Sequence, residues 1–304
     1  MANKHLKGIL IAFLGVTLLS PDSLLVRLLD LEQWTLQFWR EVGVSAFIFA
    51  ALVIGYRERA WEKTKAIGLP GVFAAACFSL SSILFISSLY LTAVANTLAI
   101  ISSAPVWGAL LSRFVLKEKL PVRTWVATIL CVFCIAIIVS GNFSDGERAS
   151  LFGDLLALIQ AVFMAAAFVL VRSRPDVNML PCRALGGVFT AVFSLSVALA
   201  VDHAIVIPPD KLPLAALLCL FVLPVSFGLL VLAPRNIPAP EVNMIMLLEM
   251  VFGPILVWAV IGEAIPAATL VGGGLLFAVL LFHSALGLKA QRARIIARVA
   301  PRVR

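Results

Sequence analysis

Long apolar stretches alternate with short polar connections along the whole chain. Ten of these stretches are about 20 residues long, the length at which an α-helix crosses roughly 30 Å of hydrocarbon. Their approximate bounds are 7–29, 36–56, 68–90, 93–115, 121–141, 152–172, 181–202, 212–233, 240–262 and 266–288. The pattern predicts an all-α membrane protein with ten transmembrane helices and no soluble domain.

The composition agrees with this pattern. Hydrophobic residues make up 62% of the 304 positions, charged residues only 13%, and the mean hydropathy is +1.07. Soluble proteins are about 45–50% apolar and about 25% charged, so a soluble fold is excluded. The net charge of +8 does not indicate nucleic-acid binding, because the basic residues lie in short connections and at the carboxyl end.

The two halves of the chain resemble each other. At a constant offset of 145 residues they carry the same charged residues, prolines and glycines, and a nearby segment matches at 143. The matched pairs include Arg27/Arg172, Glu118/Glu263, Pro121/Pro266, Arg40/Arg183 and Gly43/Gly186. We predict two five-helix units, residues 1–145 and 146–288, followed by a basic cytoplasmic tail at 289–304.

An odd number of helices per unit means that the second unit enters the membrane the other way up. This is the inverted-topology repeat of secondary transporters. Cytoplasmic segments carry an excess of Lys and Arg. With the amino terminus inside, 20 of the 24 basic residues fall on that side, and the other side keeps Arg27, Arg40, Arg148 and Lys211. We predict that both termini are cytoplasmic.

The fourth stretch carries polar side chains on one helical face. Asn96, Ser103 and Trp107 follow at spacings of seven and four residues, which places them together. Pro105 interrupts the hydrogen bonds of this helix, and Pro254 lies nearby in the matching ninth stretch. We interpret the two prolines as a paired hinge next to a binding site. The alternative is a kink that neighbouring helices repair without any ligand.

Glu249 lies near the middle of the ninth stretch, between Leu248 and Met250. A carboxylate at that depth costs a few kcal/mol unless it is paired, protonated or hydrated. We interpret it as a cavity residue that contacts a substrate amine or carries a proton. An internal ion pair, or a neutral acid bonded to a hydroxyl, is the structural alternative.

Further charged residues allow a functional or a structural interpretation. Asp22, beside Ser20 in the first stretch, is a candidate for substrate contact, although Arg27 one turn later could pair with it. Arg40 and Glu41 open the second stretch, and we expect them to anchor the helix at the membrane interface.

Two more stretches carry mixed stripes of rings and small polar groups. The candidates for substrate contact are Phe78, Ser81, Ser82 and Phe85 in the third stretch and Gln160 and Phe163 in the sixth. Rings beside hydroxyls suit a pocket for an aromatic or apolar side chain. Small hydroxyl residues also suit tight packing between helices, so both interpretations remain open.

Several kinds of chemistry have no matching motif. The chain lacks a phosphate-binding glycine loop ending in Lys-Ser/Thr. Cys131 and Cys134 have neither a second pair nor a suitable histidine, so we expect packing rather than a metal site. No serine lies in a Gly-x-Ser-x-Gly sequence. We therefore expect no enzyme activity, no cofactor and no metal.

The chain resembles the drug/metabolite transporter superfamily, in its EamA-type branch. Residues 91–119, which begin LTAVAN and end KEK, carry this resemblance, and residues 248–263, from LE to GE, echo it. The resemblance covers about residues 7–288. It implies a central cavity bounded mainly by helices 1, 3, 4, 6, 8 and 9, with helices 5 and 10 peripheral. Phe227 in the eighth stretch is then a further candidate for substrate contact.

Within this superfamily the chain looks most like bacterial exporters of aromatic and other amino acids. The expected function is export across the bacterial inner membrane by alternating access, with broad specificity and with amino acids and membrane lipid as the only partners. The alternatives are export of drugs, nucleobases or other small metabolites by the same fold and, more remotely, an intramembrane enzyme or a receptor. A monomer is compatible with the sequence, which does not fix the oligomeric state.

Overall fold

The computed structural model describes residues 2–117, 122–141, 151–174, 176–232 and 245–299. Within these ranges every regular element is a helix, and no strand occurs. Seven helical segments of the described chain are long and apolar enough to cross a membrane. The shorter apolar helices Thr124–Ser140, Glu249–Ile261 and Ala267–His283 lie in the other three predicted stretches. These elements are typical of a multi-pass membrane protein.

We label the helices of the ten stretches α1–α10. Their bounds are α1 in two pieces, Ala2–Leu19 and Asp22–Leu29; α2 Gln33–Tyr56; α3 Gly68–Leu91; α4 in two pieces, Val94–Ile101 and Ala104–Val115; α5 Val122–Ser140; α6 Leu151–Arg172; α7 Leu180–Ala200; α8 in three pieces, Leu212–Ala216, the π-helical Leu217–Val222 and Leu223–Leu232; α9 Glu249–Ile261; and α10 Ala267–Val299. Two short helices, Arg57–Arg59 and Ala60–Lys65, follow α2.

Local sequence explains where several of these helices begin and end. The Glu32 carboxylate caps α2 by accepting hydrogen bonds from the backbone N–H groups of Trp34 and Thr35, which satisfies two donors at the helix start. Gly262 ends α9 in a left-handed conformation with φ 76°, which glycine adopts without steric cost. The helix α10 continues to Val299, so the segment that we predicted as a tail begins as helix.

The helices α4 and α9 are interrupted at equivalent places. In α4 the break falls at Ser102–Ser103, and α9 follows a matching turn at Leu247–Leu248. On each side of both breaks the backbone forms hydrogen bonds three residues apart. The bonds are Ser103 to Ile100 and Val106 to Ser103 in α4, and Leu248 to Ile245 and Val251 to Leu248 in α9. Corresponding residues differ by 145, so the internal repeat is present in the backbone itself.

Eight of the helices pack in a closed order among the described residues. The order of neighbouring helices around this ring is α6, α3, α7, α2, α8, α1, α9 and α4, and α4 contacts α6 to close it. The helices α5 and α10 pack on each other and touch the ring at α4, in the peripheral positions expected for them. The ring differs from the expected cavity wall because α2 and α7 also belong to it.

Several connections meet at one end of the ring, which we call the Glu263 end. Glu263, after α9, forms an ion pair with Arg27 at the end of α1 (Nε–Oε2 3.1 Å) and accepts a hydrogen bond from the Val94 backbone N–H (2.9 Å). The Thr92 carbonyl accepts a hydrogen bond from Arg27. These contacts join both halves of the chain. Because successive helices run in opposite directions, the carboxyl ends of α1, α3 and α9 are expected at the same end of the ring.

Candidate functional site

An ion pair between Asp22 and Arg40 lies inside the ring. Asp22 begins the second piece of α1, directly after the break at Ser20 and Pro21, and both its carboxylate oxygens accept from the Arg40 guanidinium. The two residues are buried. The alternative that Asp22 pairs with Arg27 is therefore wrong, because Arg27 lies at the Glu263 end and pairs there.

A second charged pair joins the two halves of the chain. The Arg183 guanidinium in α7 donates to both carboxylate oxygens of Glu41 in α2, at 2.8 and 3.2 Å. Glu41 also accepts a hydrogen bond from the Ser82 hydroxyl, and that hydroxyl accepts one from the Gln37 amide. The expectation that Arg40 and Glu41 anchor α2 at the interface is wrong, because both are buried in ion pairs.

Two aromatic rings flank the Arg183 guanidinium. Its central carbon lies 5.9 Å from the centre of the Phe78 ring in α3 and 5.4 Å from that of Phe227 in α8, within the range of a cation–π interaction. In the ring of helices, α7 and α2 separate α3 from α8. A side chain that reaches both α3 and α8 must therefore point into the interior of the ring.

Glu249 is the first residue of α9, directly after the helix break. It is half-buried and interacts electrostatically with Asp22 and Arg40. Within the described part of the chain, its carboxylate forms no hydrogen bond or ion pair. A negative charge at a helix start is stabilised by the helix dipole, which helps to accommodate an acid that has no ion-paired partner here.

Among the described residues, the interior of the ring therefore contains two paired arginines and three carboxylates. Arg40 and Asp22 are almost fully enclosed, whereas the Arg183 side chain keeps 17% of its surface and Glu249 is also partly exposed. Exposure of a charge to lipid is costly, so we expect these two groups to face water rather than lipid. We identify this charged interior as the candidate site, with Phe78, Phe227 and Ser82 on its wall.

Other predicted site residues form hydrogen bonds within or between helices, or are half-buried aromatic side chains. The Gln160 amide in α6 donates to the Ser81 hydroxyl in α3 at 3.0 Å, and both are buried where these helices meet. The Ser20 hydroxyl bonds to the Val16 carbonyl within its own helix. Phe85 and Phe163 are half-buried. Substrate contact by these residues stays a prediction.

The polar face predicted along α4 is divided by the break in that helix. The Trp107 indole donates to the Ser103 hydroxyl at 3.0 Å, and Ser103 donates to the Ile100 carbonyl. Asn96 lies in the other piece, where its amide contacts Asp154 in α6 and Thr269 in α10. Ser103 and Trp107 therefore share the helix break, and Asn96 belongs to a separate buried polar cluster near the Glu263 end.

The two prolines do not occupy equivalent places. Pro105 is in the first turn after the α4 break, where proline is tolerated because the missing N–H has no helical partner. Pro254 is inside α9, six residues beyond the turn at Leu247–Leu248. The interruption of the ninth stretch therefore does not coincide with Pro254. A hinge role for either proline stays a prediction.

Sequence reasoning missed Arg40, Glu41 and Arg183 as members of the site. Each of these residues pairs with a residue of another helix, 18 positions away for Arg40 and 142 for Glu41 and Arg183, and a local pattern does not reveal such a contact. The internal repeat did carry one indication that these arginines matter, because Arg40 and Arg183 match at the 143-residue offset.

The described residues contain no group of His, Cys, Asp and Glu side chains that could hold a metal ion. Their five cysteines are free thiols, of which Cys131 and Cys134 are buried in α5.

A sequence model of the EamA-like transporter family matches residues 6–140 and again residues 151–285. The chain belongs to the EamA-like transporter family. The two EamA matches begin and end 145 residues apart, at the same offset as the paired helix breaks. EamA proteins belong to the drug/metabolite transporter superfamily, so this chain is a multi-pass membrane transporter of the drug/metabolite type.

Comparison with solved structures shows a shared fold and gives no information about the substrate. Sixteen solved chains match, and one of them, described only as the crystal structure of a protein, superposes with a TM-score of 0.65. It has 16% sequence identity and covers 93% of this chain and 98% of its own. At this identity the match shows the fold alone. None of the curated proteins searched matches the chain.

Proposed function

We propose that this EamA-like transporter exports amino acids, including aromatic ones, across the bacterial inner membrane. Specificity is broad, and transport proceeds by alternating access through the interior of the helix ring. The main observation in support is Glu249, a carboxylate inside the ring that forms no hydrogen bond or ion pair among the described residues. A carboxylate in the interior that forms no hydrogen bond or ion pair favours an occupant of opposite charge, and the amino group of an amino acid supplies it.

The aromatic residues of the ring support the side-chain preference. Phe78 and Phe227 lie beside the charged groups, and Phe85 is half-buried on the same helix as Phe78. Ring pairs contribute about 0.5–1.5 kcal/mol beyond their buried area. An aromatic substrate therefore gains affinity here while aliphatic amino acids still fit.

The paired breaks support alternating access. The helices α4 and α9 come from different halves and are interrupted at repeat-related positions. In transporters with inverted repeats, discontinuous helices lie beside the substrate, and one repeat moves against the other. Movement at these two breaks would open the site to one face of the membrane at a time.

Uptake into proteoliposomes tests the proposal. Labelled phenylalanine, leucine and a nucleobase are offered to the purified protein, with and without a proton gradient. We expect saturable uptake of the amino acids, and a loss of at least tenfold in Glu249→Gln, because removal of one charged contact costs about 1.5–3 kcal/mol. Glu58→Gln, at an exposed position after α2, is the matched control.

The same assay separates the alternatives. Transport of the nucleobase without amino-acid uptake would replace the proposal with export of another small metabolite. Unchanged phenylalanine uptake in Glu249→Gln at every pH would remove Glu249 from the site.

A further inference from the structure

We infer that Arg183 binds the carboxylate of the substrate and thereby makes the transporter prefer amino acids to amides and amines of the same shape. The inference deepens the proposed function and rests on it. It assigns the negative end of the substrate to a residue in α7, whereas Glu249 in α9 receives the positive end.

The hydrogen-bonding capacity of Arg183 is only partly used. A guanidinium has five N–H donors, and Arg183 spends two of them on the Glu41 oxygens. The other three have no partner among the described residues. With 17% of its side chain exposed inside the ring, Arg183 presents these donors to water or to a solute.

Comparison with Arg40 shows that this openness is particular to Arg183. The two arginines match at the 143-residue offset of the repeat. The Arg40 side chain is 7% exposed and held by Asp22, an acid of its own half. At the 145-residue offset from Asp22 stands Ala167 in α6. The second half therefore has no acid at the position that matches Asp22, and the only carboxylate that pairs with Arg183 among the described residues is Glu41 of the first half.

The two flanking rings hold the Arg183 guanidinium in an orientation that suits a planar ligand. Phe78 and Phe227 contact the guanidinium at 5.9 and 5.4 Å. Glu41 covers the edge that carries both terminal nitrogens. The remaining donors point along the other edges of the guanidinium, in the fork geometry that matches a carboxylate. Because the rings and Glu41 already fix the side chain, little rotational entropy is lost when a carboxylate binds.

An amide substrate gives the most direct test. Phenylalaninamide keeps the ring and the amino group of phenylalanine and lacks the carboxylate. In competition for labelled phenylalanine uptake, we expect the amide to be about 10- to 100-fold weaker than phenylalanine on the wild-type protein, the loss of one charged hydrogen-bonded contact.

The variants must not leave Glu41 buried without a partner. The double variant Glu41→Gln/Arg183→Gln removes both charges, and Arg183→Lys keeps the charge and removes the planar fork. In both we expect the ratio between phenylalanine and its amide to fall to within about threefold, because the fork is lost. Arg59→Gln, at an exposed position outside the ring, keeps the wild-type ratio.

Each outcome decides one question. Equal competition by phenylalanine and its amide on the wild type overturns the role of Arg183, and so does a variant that transports with the wild-type ratio. A wild-type protein that takes up no amino acid at all overturns the proposed function, and the inference falls with it.

Discussion

Asp22 and Arg40 meet inside the helix ring through both carboxylate oxygens, although α8 lies between their helices in the ring. Removal of one partner leaves a buried charge uncompensated, which costs about 3–5 kcal/mol. We expect Arg40→Gln and Asp22→Asn each to lower the thermal midpoint of the protein in detergent. The double variant should recover most of the loss, because neither charge is then left alone. A double variant as unstable as the two losses added together would contradict the pairing.

The ion pair at the Glu263 end predicts a change in accessibility. Arg27→Gln removes the partner of Glu263 and the donor to Thr92. We expect the Glu263 end to open about tenfold more often, since a charged hydrogen bond contributes about 1.5–3 kcal/mol.

A Val94→Cys probe, in a background without the native cysteines, reports this opening through its rate of reaction with a maleimide. Val94 is buried, and its backbone bond to Glu263 does not depend on its side chain. Arg59→Gln should leave the rate unchanged. Equal rates in Arg27→Gln and wild type would show that other contacts keep this end closed.

Gly43 and Gly55, both in α2, provide a matched pair. A Cβ at Gly43 would collide with the Cys219 backbone carbonyl in α8, whereas a Cβ at Gly55 meets nothing within 4 Å. We expect Gly43→Ala to destabilise the protein by about 1–3 kcal/mol, as overpacking does. Gly55→Ala should be neutral or stabilising by up to about 1 kcal/mol through helix propensity. Thermal unfolding of both variants in one detergent checks the difference, and equal midpoints would contradict the close approach of α2 and α8.

The prolines of α4 and α9 should behave differently. Pro254 lies inside α9 and removes one backbone hydrogen bond, so Pro254→Ala should raise the thermal midpoint and slow phenylalanine transport if bending there is required. Pro105→Ala should change stability little, because Pro105 lies in the first turn of its helix piece. Uptake by Pro254→Ala at the wild-type rate would exclude a hinge at that position.

The sequence predicted the helical composition and the repeat, because hydropathy and an offset of 145 residues are properties of the chain alone. The break in α4 had a local signal in Pro105, whereas the break before α9 falls at Leu247–Leu248 with no proline or glycine adjacent. The second break could have been located only by adding the 145-residue offset of the repeat to the position of the first break. Glu249 was identified because a carboxylate among leucines is unusual. Arg183 was missed because its surroundings come from α2, α3 and α8.

The contact between Glu41 and Arg183 has a consequence for biosynthesis. The acid belongs to the half that is made first, and its base to the half that is made second. Until the later half has been inserted, the nascent first half holds a carboxylate whose partner does not yet exist. We therefore expect the first five-helix unit to reach its final structure only together with the second, although the two units are repeats of each other. A gene split between them should give functional protein only when both fragments are produced in the same cell.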